Sequence, residues 1–103
     1  MGLTLYLSNG NGIHFEQSIS HNLRTMAISA GVYECLWNGQ GVSAGEAECI
    51  LWNGIVDMLD RKDFYKQLEP SNKWGTYDDF LAFIGELHLK CVTNPDAIIM
   101  VCK

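Results

Sequence analysis

The chain has 103 residues, a length for one domain and not two. Apolar residues make up 48% of it and aromatics 11%, a composition that excludes a disordered chain and predicts one compact core. The net charge of −5 is spread along the sequence without a long single-sign run, which argues against direct nucleic-acid binding, since phosphates call for clustered cations. Arg61, Lys62, Lys66 and Lys73, the nearest thing to a basic patch, are interrupted by Asp63 and Glu69 and read as a solvated face.

Four cysteines occur, Cys35, Cys49, Cys91 and Cys102. The start Met1-Gly2-Leu3-Thr4 runs straight into an alternating pattern instead of a secretory leader, so a reduced, cytoplasmic setting is expected and the thiols are expected to be free. They form no C-x-x-C pair, and the three histidines have no H-x-x-H spacing, so neither metal nor any other cofactor is implied. No apolar run approaches the roughly 18 to 20 residues of a membrane-spanning helix, and no membrane association is expected.

In chain order, Leu3, Leu5 and Leu7 alternate with Thr4 and Tyr6, the period of a strand with one buried face, over residues 2–8. The two Asn-Gly pairs within Ser8–Gly12 predict a hairpin turn, with a second arm through Ile13 and Phe15. A phosphate-cradling loop would have to open directly into a helix, and residues 13–19 intervene here. Ser20 or Ser18 can cap a helix carrying Leu23, Met26, Ala27 and Ala30, and Gly31 suits its left-handed end. Val32 to Trp37 fits a short strand or a helical turn equally well.

Glu34–Gly39 and Glu48–Gly54 are nearly the same phrase, Glu-Cys-Leu-Trp-Asn-Gly against Glu-Cys-Ile-Leu-Trp-Asn-Gly. The second copy falls inside a helix that Ser43 and Glu46 cap and that runs to about Asp60. Its predicted buried stripe is Ala47, Ile50, Leu51, Gly54, Ile55, Met58 and Leu59, with Trp52 beside it. A glycine in mid-helix costs about 1 kcal/mol relative to alanine, so Gly54 predicts close approach of another element. The first copy ends at the glycine loop Asn38–Gly41, which leaves Trp37 as the tryptophan a ligand could reach.

Residues 63–68 predict another turn or two, stopped by Pro70. Thr76 and Asp79 cap a helix whose inner face is Tyr77, Phe80, Leu81, Ile84, Leu87, His88 and Cys91. Ala97 to Cys102 reads as a strand buried on both faces and paired with the N-terminal strand. The expected architecture is therefore α+β, three main helices on a two- to three-stranded sheet made by the terminal strands.

Catalytic signatures are thin. Gly41-Val42-Ser43-Ala44-Gly45 matches the G-x-S-x-G elbow, which needs a preceding strand and a much larger fold. Asp78 and Asp79 point about 100° apart on a helix, and capping accounts for them. Glu34 and Glu48 discourage the thiolates of Cys35 and Cys49. His88 reads as a satisfied core histidine, whereas His21 and Asn22, polar and in a first helical turn, could serve a ligand. Trp37, Trp74 and Tyr77, at element ends beside Asn and Gly, could stack on a flat ligand or anchor a protein, or could equally be the lid of the core.

Ser20-His21-Asn22-Leu23 with Met26-Ala27, Ala30-Gly31-Val32-Tyr33-Glu34 with Leu36-Trp37, Asn72 with Trp74-Gly75-Thr76-Tyr77 and Phe80, and Asn94-Pro95-Asp96-Ala97 together resemble a group of small proteins encoded by bacteria and their phages. In that group the segment after the Leu-Trp pair is longer and more acidic than Asn38–Gly41. The resemblance supplies no activity. It implies a phage or mobile-element setting, hence a host cytoplasm, and it places His21, Asn22, Trp37, Trp74 and Tyr77 in its motifs.

The functional expectation is a non-catalytic binding protein, of the kind a phage uses to inhibit or sequester a host defence protein, taking either a host protein or a nucleotide-like small molecule. The alternative is a small hydrolase or transferase with His21 as general base. A second copy of the chain could cover an exposed strand or aromatic patch.

Overall fold

A computed structural model describes residues 2–72 and 75–103. The order is β1 (Gly2–Asn9), β2 (Gly12–Ser20), a 3₁₀ turn (His21–Leu23), α1 (Arg24–Ala30), α2 (Tyr33–Trp37), α3 (Ala44–Asp60), α4 (Lys62–Lys66), α5 (Tyr77–Thr93) and β3 (Ile98–Cys102). The fold is α+β. The strands form an antiparallel sheet in the order β2-β1-β3, so the terminal strands do meet at its centre and edge.

The sheet's inner face follows from the alternation in β1. Leu3, Leu5 and Leu7 are fully buried, and their partners across the ladders include Ile19, Gln17 and Phe15 on β2 and Val101 and Ile99 on β3. The opposite face is open. Ile98, Met100 and Cys102 are exposed there, which corrects the expectation of a strand buried on both sides: in an antiparallel edge strand only alternate residues need cover.

The local signals act as read. Ser20 Oγ accepts from the Asn22 N–H at 3.1 Å, Ser43 Oγ from Glu46 at 3.2 Å, and Thr76 Oγ1 from Asp79 at 3.0 Å. Gly31 ends α1 at φ 77°. The undecided stretch 32–37 is helical over Tyr33–Trp37.

The long helices α3 and α5 pack on one another, with Leu51, Ile55 and Met58 facing Phe80, Ile84 and Leu87 in one core. Ile50 and Leu59, placed in the α3 stripe from sequence, are exposed. The stripe is narrower, Ala44, Ala47, Leu51, Gly54, Ile55 and Met58, because the flank beside it faces solvent. Gly54 is where α3 meets the α1–α2 junction: a Cβ there would lie 2.6 Å from Val32 Cγ1 and 3.1 Å from the Ala30 carbonyl oxygen.

Candidate functional site

The residues singled out from sequence as site residues fall in two environments, and a cleft that none of the described ones lines makes a third. Capping by Ser20 turns the chain sharply out of β2, so that Leu23 enters the core while Asn22 stays exposed. His21 lies between them and faces α2. There the Trp37 indole N–H donates to His21 Nδ1 at 2.9 Å, and the Trp37 ring stacks on Tyr33 with centroids 5.3 Å apart and planes 10° off parallel. Trp37 is only 2% exposed. This corrects the expectation that a ligand could reach it: a five-residue helix that buries Cys35, Leu36 and Trp37 leaves its terminal tryptophan no route to solvent.

The bond also sets the chemistry of His21. An indole nitrogen can only donate, so Nδ1 is the unprotonated nitrogen and Nε2 carries the proton of the neutral ring. With the Nδ1 lone pair engaged by Trp37, His21 offers a hydrogen-bond donor and no free base. The general-base alternative draws no support from this geometry.

Tyr77 is the second environment. It opens α5, but its ring is 1% exposed, its hydroxyl donates to the Met58 carbonyl at 2.7 Å, and its backbone N–H donates to Glu69 at 2.6 Å. Burial, and secondarily the charge of Asp78, raise its phenol above the ordinary range. It joins the start of α5 to the end of α3 inside the core, as its place on the inner face of that helix predicts, and of the two roles open to it from sequence it takes the core one. Trp74 lies outside the described residues.

A cleft of about 580 Å³ forms the third environment, between β2 and the first half of α5. That is within the roughly 300–1,000 Å³ of small-ligand sites. Its β2 wall is Gln17, Ser18, Ile19 and Ser20, and Leu23 and Gly75 also line it. On α5, Asp79, Phe83 and Glu86 recur at helical spacing along the other wall. Phe15 packs edge-on against Phe83 at 5.5 Å beneath it, and the Gln17 side-chain amide donates to the Glu86 carboxylate across it. The floor is apolar, and among the described residues both rim charges are negative and no Lys or Arg lines it. His21 and Asn22 sit between two of its lining residues, Ser20 and Leu23.

Sequence reasoning missed the cleft, since nothing local announces that β2 and α5 will face each other. It also exchanged two tryptophans. Trp52 is 51% exposed, lies 5.3 Å from the His88 ring, and shares the outer flank of α3 with Val56 and Leu59. His88 itself is partly buried and donates from Nε2 to Glu48 at 3.2 Å. The signal was available in the i, i+4, i+7 series Trp52, Val56, Leu59, which runs parallel to the core stripe.

Burial pushes the thiols of Cys35 and Cys91 up to about 11 and about 12. A hydrogen bond to Glu48, then its charge, raises Cys49. None of these three is an activated nucleophile. Among the described residues no group of three His, Cys, Asp or Glu could hold a metal ion, and no helix is long and apolar enough to cross a membrane. The chain matches no family model, no curated protein and no solved structure.

Proposed function

We propose that the protein is a non-catalytic binding domain that receives a polypeptide partner in the cleft between β2 and α5. The observation that carries this reading is the cleft's make-up, an apolar floor of Phe83, Ile19 and Leu23 beneath a rim whose charges, among the described residues, are those of Asp79 and Glu86. A nucleotide-like ligand is the weaker choice, because among the described lining residues its phosphates would meet two carboxylates and no cation. Ser20, Leu23 and Gly75, which belong to segments that carry the resemblance to phage-encoded proteins, line the same cleft. Inhibiting or sequestering a host defence protein, in the setting that resemblance implies, is one form of such binding.

The test is a photo-crosslinking amino acid placed at Ala82, an exposed cleft position, and separately at Glu46, an exposed position outside it. In cells of the native host, polypeptide adducts at Ala82 and not at Glu46 are the expected outcome. Equal labelling at both positions, or none at Ala82, overturns the proposal.

A further inference from the structure

The two edges of the sheet are treated differently. Beyond β3 the edge is closed by residues 40–43: Gly41 N–H donates to the Ile99 carbonyl at 2.8 Å, Ile99 N–H to the Val42 carbonyl at 2.9 Å, and Val101 N–H to the Gln40 side chain at 2.8 Å. Along β2 no described segment supplies such bonds.

Which β2 groups point outward follows from those same bonds. Because Ile99 turns its N–H and C=O away from β1, its partner Leu7 must turn its own toward β2, where it faces Phe15. Alternation along an antiparallel ladder then aims the backbone groups of Phe15, Gln17 and Ile19 at β1, and those of Glu16 and Ser18 out of the edge. The cleft lies beside these unpaired groups, with Gln17, Ser18 and Ile19 in its wall.

We infer that β2 takes a fourth strand, an extended peptide with lysine or arginine at alternate positions, hydrogen-bonded to the backbone of Glu16 and Ser18. This rests on the reading of the cleft as a polypeptide site and names its occupant. A strand added at the edge lies about 4.8 Å out, and its same-face side chains recur about every 6.8 Å. One face would then look onto Asp79 and Glu86, which stand about 10.5 Å apart along the helix axis. Two or three consecutive same-face basic side chains span that pair, with their alkyl stems over Phe83 and Leu23. On the other face Glu16 adds a further carboxylate. Lys90, one turn beyond Glu86 on α5, does not line the cleft. A second copy of this chain fits worse, because its own Glu16, Asp79 and Glu86 would meet the same residues across a two-fold axis.

The experiment follows amide hydrogen exchange by NMR while the whole chain is titrated with a capped nine-residue peptide alternating lysine with threonine. The Glu16 and Ser18 amides are expected to gain protection of about tenfold or more, while Phe15 and Gln17, already paired with β1, change little. Glutamate in place of lysine, or methylation of the peptide's backbone amides, should abolish the effect. Glu86→Gln should weaken binding about two- to fivefold, the effect of one solvent-exposed charge pair. Absence of protection at Glu16 and Ser18, whether or not the peptide binds elsewhere, overturns strand addition. So does protection of those amides that grows with protein concentration and without peptide, since the occupant would then be a second copy. Crosslinks at Ala82 with silent edge amides refute strand addition alone; missing crosslinks refute the cleft itself.

Discussion

Trp37 Nε1 and His21 Nδ1, 2.9 Å apart, join the end of α2 to the turn that leaves β2. His21→Ala would leave a buried indole N–H without its acceptor, at a cost of about 1–3 kcal/mol. Chemical denaturation should show that loss. Because Trp37→Phe removes the donor as well as the need for an acceptor, adding His21→Ala to it should cost clearly less than His21→Ala alone.

Gly54→Ala tests the close approach of α3 to the α1–α2 junction. Helix propensity alone favours alanine by about 1 kcal/mol. The new methyl, however, would sit 2.6 Å from Val32 Cγ1, and overpacking costs about 1–3 kcal/mol. Net destabilisation is expected, partly relieved when Val32→Ala is added, as a thermal-melt comparison of the three variants would show.

The thiols should separate by reactivity. Cys49 and Cys102 are exposed, Cys35 and Cys91 buried. Brief alkylation of the native protein followed by mass spectrometry should label only the first two. Glu48→Gln should speed Cys49, whose thiol the carboxylate holds above its ordinary value of 9.0, and leave Cys102 unchanged.

Asp57 should contribute to the acid limb of stability. Its carboxyl is held below the ordinary 3.8, first by the hydrogen bond from Arg61 and then by that from the Tyr65 hydroxyl. A depressed acid stabilises the fold fully above its unfolded value and loses that contribution as pH falls below about 3.8 through the folded value. The stability difference between the wild type and Asp57→Asn, measured by urea titration, should therefore shrink as pH drops through that window.

What the residues announce locally, they announce well. Ser43 with Glu46, Thr76 with Asp79, and Gly31 each act within one turn of helix, and all three mark true ends. Gly54 was legible because a mid-helix glycine on an apolar face needs a reason. The placement of Trp37 and Trp52 was not, since it depends on which flank of each helix meets a neighbour distant in sequence. The cleft is harder still. Gln17 and Glu86 are 69 positions apart, and only the sheet order that puts β2 at an edge beside α5 brings them together.

A hydrogen-exchange footprint of the purified complex, compared with the free chain, separates the cleft from the exposed flank around Trp52 as the surface that takes a partner. Slowed exchange across residues 16–23 and 79–86 is the result expected. Protection confined to residues 48–60, with the β2 and α5 segments unchanged, would contradict the proposed site.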